Sequence, residues 1–259
     1  MELVDSHAHL EFPAYDQDRG EVLLRARQAG LVGLLAIGSA AGPDRLDVAL
    51  PFAEQHSWIH ATIGVHPHES AKVCDEHYGQ MDRLAHHPRV IAWGEIGLDY
   101  FRNYAPRDVQ QRVFRRQLEQ ARAAGLPVVI HCRDAWDDCL RILDEDWRST
   151  GLGGIFHCFS GTLEVAQRGR GMGFMISFAG NLTYKSAEAL RGVVKRLPLE
   201  SLLIETDAPF LPPEGFRGQR NEPAYVAEVA RTVANVRDLP VAEVAAATTA
   251  NFRRLFGLS

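Results

Sequence analysis

Ala124-Gly125-Leu126-Pro127-Val128-Val129-Ile130-His131 ends a helical stretch and opens a strand within eight residues. Upstream of it, from Arg107 to Ala124, Val109, Val113, Gln117 and Ala121 trace one face, while Arg112, Arg115, Arg116 and Glu119 lie mostly elsewhere, which is the helical period. Gly125 is a helix-stop signal and Pro127 cannot continue the helix. Val128–Ile130 is then a short apolar run with a polar residue at its end. The same unit recurs in both directions, with further stops at Ala29-Gly30 and Gly171-Met172-Gly173. Eight such runs can be read: Leu3 to Ser6, Gly33 to Ile37, His60 to Gly64, Val90 to Glu95, Val128 to His131, Gly154 to His157, Phe174 to Ser177 and Leu202 to Glu205.

Short strands alternating with amphipathic segments predict an α/β protein with a parallel sheet, and eight repeats predict a closed (β/α)8 TIM barrel as a single domain over residues 1–259. An open doubly wound sheet shares this grammar, but its GxGxxG fingerprint is missing after the first run. Pro212 to Pro223 reads as the loop after the eighth strand, long enough to overhang the active face. Pro240 to Phe256 has an amphipathic helical pattern and is expected to pack on the outside of the barrel.

Composition agrees with that size of core: 259 residues, 46% hydrophobic and 24% charged. The net charge of -5 argues against a strong overall positive field, although a local basic groove remains compatible with it. Cys74, Cys132, Cys139 and Cys158 show no CxxC pair, which fits reduced thiols. Glu2 and Asp5 stand where a secretion signal needs positive charge, and no apolar stretch approaches the roughly 18 residues of a membrane span. A cytoplasmic protein with no membrane association and no obligate protein partner is expected.

Six residues carry the chemistry, each at the end of an apolar run: His7 and His9, then Glu95, His131, His157 and Asp207. In a barrel all strand ends of this polarity share one face, so these distant positions converge. Imidazole nitrogens and carboxylate oxygens suit zinc, manganese or magnesium. The set predicts two divalent ions, with His7, His9 and Asp207 on one, His131 and His157 on the other, and Glu95 as the bridge. Two such ions about 3.5 to 4 Å apart activate an attacking water and stabilise the leaving oxygen. Asp207 is a candidate general base besides being a ligand. Asp99 could orient a ligand histidine. Gly94 and Gly97 would leave room for an ion or substrate beside Glu95. Substrate contacts are expected from His66 and His68, and from Arg133, whose guanidinium offers paired donors to phosphate. Arg217 and Arg220 are weaker phosphate candidates. Tyr100, Phe101 and Tyr104 are candidate base-stacking rings. Cys132 and Cys158 alternate with ligand histidines and should point away from the centre.

Asp5-Ser6-His7-Ala8-His9-Leu10, Gly64-Val65-His66-Pro67, Gly94-Glu95-Ile96-Gly97-Leu98-Asp99-Tyr100, His131-Cys132-Arg133, His157-Cys158-Phe159-Ser160-Gly161 and Glu205-Thr206-Asp207-Ala208-Pro209 resemble, in order, the motifs of the TatD-family metal-dependent deoxyribonucleases. The match continues through Arg220-Asn221-Glu222-Pro223 and Asn251-Phe252-Arg253-Arg254-Leu255-Phe256. The resemblance implies a barrel of the amidohydrolase superfamily, the same six metal ligands, and a 3'-to-5' exonuclease acting on DNA or RNA ends. Some relatives are associated with D-aminoacyl-tRNA, so an esterase or amidase on that end or on a small molecule is the alternative. A barrel retained only for binding is a third.

Overall fold

Eight strands carry the architecture: β1 Leu3–Ala8, β2 Leu31–Ala36, β3 Ile59–Ile63, β4 Val90–Asp99, β5 Val128–Arg133, β6 Gly154–Phe156, β7 Phe174–Phe178 and β8 Leu202–Ile204. The computed structural model describes residues 1–258; Ser259, the last residue of the expected domain span, lies outside the described residues. Each strand pairs in parallel with the next, in the order β1 to β8. The sheet closes at its upper rim, where Ala8 bridges Ala208, His9 N donates to the Ala208 carbonyl at 2.8 Å and Asp207 N donates to the His7 carbonyl at 3.0 Å. The seam of the TIM barrel therefore runs through two of the six candidate ligand segments.

Helices follow the strands: α1 Arg19–Gln28, α2 Leu50–Gln55, α3 Asp75–Leu84, α4 Arg107–Ala124, α5 Trp136–Asp146, α6 Leu163–Arg170, α7 Glu188–Arg196, α8 Val226–Arg237 and α9 Val241–Phe256. Among the described residues no helix is long and apolar enough to cross a membrane. Gly125 ends α4 in the left-handed conformation (φ 68°), with its N–H bonded to the Arg122 carbonyl, so the stop read from sequence is a backbone feature.

Side chains inside the barrel form their own buried layer: Val4, Leu35, Ala92, Val129, Ile155 and Leu203, each from a different strand. The opposite faces of the strands pack against the helix shell. α9 lies outside the strands, as expected, but its far end does more than pack alongside. Phe252 joins the inner layer, backed by Leu255 and Phe256, so the helix stops the amino-terminal mouth of the barrel. The register of β1 on β2 shifts between Asp5 and Ala8. That irregularity lets Val4 below and His7 above both face the axis although they are three residues apart.

Candidate metal centre

The six residues predicted from sequence meet at the carboxyl-terminal rim. His7 Nε2 and His9 Nε2 lie 3.3 Å apart. Glu95 Oε2 is 3.5 Å from the first and 3.9 Å from the second, and Asp207 Oδ1 is 3.6 Å and 3.4 Å from them. On the other side of the same carboxylate, Glu95 Oε1 is 2.8 Å from both His131 Nδ1 and His157 Nε2. Glu95 thus turns one oxygen to each group of nitrogens. Donors held 2.0 to 2.2 Å from a shared ion would lie roughly 3 to 3.5 Å apart, close to these separations. His7, His9 and Glu95, and separately Glu95, His131 and His157, each bring their ligand atoms within 4.8 Å of one another, with no lysine or arginine among them. The residues present fit divalent cations.

Local structure explains why the side chains converge. Glu95 lies within β4, and Ser39 Oγ accepts its backbone N–H at 2.9 Å. β4 runs on to Asp99, and Asp99 Oδ2 reaches His131 Nε2 at 2.9 Å and His68 Nε2 at 3.0 Å. The expected orienting role of Asp99 has this geometry. Gly94 and Gly97 serve differently from the reading made above. A Cβ at Gly97 (φ 136°) would collide with the His131 carbonyl, and one at Gly94 with the Val129 carbonyl, so the space they leave is taken by the neighbouring strand rather than by an ion.

Three supporting carboxylates escaped the sequence reading. Glu205, fully buried, accepts from His157 Nδ1 at 3.0 Å and from Cys158 N at 2.6 Å. Asp5, also fully buried, accepts from Thr206 N, Thr206 Oγ1 and His7 N, which ties the end of β1 to the chain leaving β8. Glu11 Oε1 lies 3.4 Å from His9 Nδ1. Each stands within two residues of a candidate ligand in sequence, which was the only available signal. Their acid type gave no indication of which nitrogen they face.

The site's charges are strongly coupled. Burial opposes charge on Glu95, yet the imidazoles of His157, His66 and His131 hold its carboxyl well below the usual range. Burial likewise opposes charge on Asp207, and His9, His157 and His7 outweigh it. Burial would lower His9, but Asp207 and Glu11 lift it to about 10. His157 rises well above its ordinary value against burial, through Glu95 and Glu205. For His66 burial wins and takes it down to about 4, despite the attraction of Glu95. Burial raises Asp5 to about 8, against its bonds to Thr206 and His7.

A cleft of about 650 Å³ opens over this centre, lined among others by His9, His66, His68, Glu95, Arg133, Asp207 and Phe210. His66 Nε2 is 3.5 Å from Glu95 Oε1, so His66 reaches the centre itself. Arg133 lies over the Phe101 ring with its guanidinium carbon 3.9 Å from the centroid. Arg220 is turned elsewhere: it makes two 2.7 Å bonds to Asp18 and covers Tyr15. Arg217 lies over Tyr184. Tyr100 is buried and donates to Asp138 at 2.8 Å, which removes it as a stacking face, whereas Phe101 and Tyr104 are exposed. Cys132 is buried in the wall, in line with strand alternation. Cys158 is not turned away as expected, because β6 ends at Phe156 and Cys158 has a left-handed backbone (φ 42°) that brings it to the cleft.

A TIM barrel with a histidine and carboxylate cluster at this rim defines a class, the metal-dependent hydrolases. Within that class the chain belongs to the TatD related DNase family, whose model matches residues 4–257. It is 41% identical over 259 residues to the uncharacterized metal-dependent hydrolase YabD of Bacillus subtilis (strain 168), covering 99% of this chain and 100% of that one. It is 35% identical over 262 residues to the 3'-5' ssDNA/RNA exonuclease TatD of Erwinia tasmaniensis, covering 99% and 100% of the two chains. The crystal structure of YJJV, a TatD homologue from Escherichia coli k12, superposes with a TM-score of 0.93 at 33% identity, covering 99% of this chain and 98% of that one.

Proposed function

We propose that this protein removes nucleotides from the 3' ends of single-stranded DNA or RNA by hydrolysing the terminal phosphodiester, with two divalent cations held in the cleft. The observation that carries the reading is the placement of Glu95, one oxygen 3.5 Å from His7 Nε2 and the other 2.8 Å from His131 and His157. His7, His9 and Asp207 would hold one cation, His131 and His157 the second, and Glu95 would serve both. When bound, the cations supply Lewis acidity toward the attacking water and the phosphate oxygens.

The chain's own groups do the rest. Asp207, kept ionised by its histidine neighbours, takes the proton of the attacking water. Glu205 and Asp99 hold His157 and His131 in one ring orientation. Arg133 meets the phosphate from the rim with paired donors, and the neutral His66 donates to a phosphate oxygen. The exonuclease-named relative supports the choice of bond and substrate.

The test is degradation of 5'-labelled single-stranded DNA and RNA with magnesium or manganese, beside D-aminoacyl-tRNA and a small ester. Laddering from the 3' end, lost on chelation and in His157→Ala, is expected. Nucleic acid left intact while an ester is turned over overturns the choice of bond. Metal analysis yielding about two ions per chain is expected, and none at all would leave a binding protein.

A further inference from the structure

Resting on the nucleic-acid reading, we propose that exposed rings at the two ends of the histidine cluster seat the unpaired bases on either side of the scissile phosphate, Phe210 on one side and Tyr104 with Phe101 on the other. Burying a large apolar side chain is worth about 1.5 to 3 kcal/mol, so a fold that leaves several uncovered in one place leaves them for something. Among the described residues the exposed large apolar side chains are Met1, Leu24, Phe101, Tyr104 and Phe210, the last three being 53%, 65% and 44% exposed. Those three are the aromatic ones, and all belong to the loops that follow β4 and β8 at the catalytic rim.

Their arrangement follows the cluster. Ring centroids of His9 and His7 are 5.0 Å apart, His7 and His157 3.8 Å, His157 and His131 5.8 Å, and His131 and His68 6.0 Å. Phe210 stands at the first end, 5.9 Å from His9 and edge-on to Phe12 at 4.9 Å. Tyr104 stands at the other, 4.8 Å from His68. The guanidinium carbons of Arg133 and Arg102 lie 3.9 Å and 5.4 Å from the centroid of the half-exposed Phe101 ring. A phosphate bound at the middle of the row has an aromatic face on each side and cations beside one of them.

The occupant follows from that geometry. A docked protein would need a continuous apolar face, and here the apolar rings are separated by polar imidazoles. A nucleotide strand alternates apolar base faces with anionic phosphates, which is the alternation that rings set apart by imidazoles and guanidinium groups can meet. Base stacking on an aromatic ring is worth about 1 to 3 kcal/mol per base and tolerates any sequence. Inside a duplex each base face is covered by its neighbours and only the outer face of the last pair is open, so rings that take the bases on both sides of one phosphate select a strand whose end is unpaired.

The experiment is a binding cycle between ring and base. The full-length protein, loaded with Ca2+ in place of the activating cation to suppress cleavage, is titrated into a 5'-fluorescein-labelled oligothymidylate. Three oligomers are used: intact, with a stable abasic unit at the 3' terminus, or with that unit at the penultimate position. Phe210→Ala and Tyr104→Ala should each weaken binding of the intact oligomer about tenfold. Each loss should vanish with one abasic position only, a different one for each ring, and Phe210→Trp and Tyr104→Phe should restore binding. Equal losses on all three oligomers, or no loss on any, overturn the base seats while leaving the nuclease reading intact. Wild-type protein that turns over a chromogenic phosphodiester yet binds no oligonucleotide overturns the nucleic-acid reading and the seats with it.

Discussion

Glu205 accepts a hydrogen bond from His157 Nδ1 at 3.0 Å, and the opposite nitrogen of that ring faces Glu95 Oε1 at 2.8 Å. One buried carboxylate therefore sets both the tautomer and the aim of a candidate ligand. Removing such a partner ordinarily costs 10- to 100-fold in metal affinity. Glu205→Gln keeps an acceptor oxygen but loses the charge, so its half-saturating metal concentration should rise about tenfold, and that of Glu205→Ala further. Activity should return toward the wild-type value at saturating metal. A metal titration superposable on wild type would show that Glu205 has no hold on the centre.

Metal binding should release protons. In the ion-free protein Asp207 and Glu11 lift His9 to about 10, and His157 is raised well above its ordinary value by Glu95 and Glu205. A ligand must shed its proton to bind a cation, and these groups hold theirs at neutral pH. The sign is then definite: apparent metal affinity climbs as pH rises toward the raised values and falls as pH drops. Calorimetry of metal binding at pH 7 in two buffers of different ionisation enthalpy reads the proton count directly. Identical heats in both buffers would mean that no proton leaves.

What could be read from sequence and what could not divide along physical lines. Strand ends were legible because Gly125 and Pro127 punctuate the chain and because a candidate ligand stands at the end of five of the eight runs. The reach of β4 to Asp99 was harder, since the run reads as ending at Glu95 and Gly97 looks like room for an ion until the close approach of the His131 carbonyl is seen. Glu205 and Asp5 were invisible as supports, because hydrogen bonds to His157 and Thr206 span 48 and 201 residues of chain and leave no local pattern. Arg220 matched a phosphate clamp by type, and only its pairing with Asp18 places it elsewhere. Phe210 had no period or motif around it. Its exposure beside His9 is a property of the folded rim alone.

Arg133 should separate substrate binding from metal binding. It lies on the cleft wall two residues beyond His131, and it contacts Phe101 rather than any candidate ligand. Arg133→Ala is expected to raise KM for single-stranded DNA about tenfold, the order of one charge-assisted hydrogen-bonded contact. The metal titration curve should stay in place. Arg133→Lys should recover only part of the loss, because an ammonium lacks the paired planar donors. A variant that loses kcat at unchanged KM would move Arg133 from binding the substrate to stabilising the transition state.

Phe252 offers the converse separation, of stability from the site. It is almost wholly buried at the amino-terminal mouth, packed with Val4, Leu35, Ala92, Val129, Ile155 and Leu203, while the metal cluster lies at the opposite rim. Phe252→Ala opens a cavity under that layer and should cost about 3 to 5 kcal/mol. For a chain of this size that is on the order of 10 °C in Tm. Barrel strands anchor both ends, so the rim itself should feel the loss only through the population that unfolds. At 20 °C, where the variant is still folded, half-saturating metal and kcat should match wild type. Thermal melts alongside a metal titration test this. A variant that melts early and also binds metal poorly at 20 °C would show that the lower mouth and the rim are mechanically coupled through the strands.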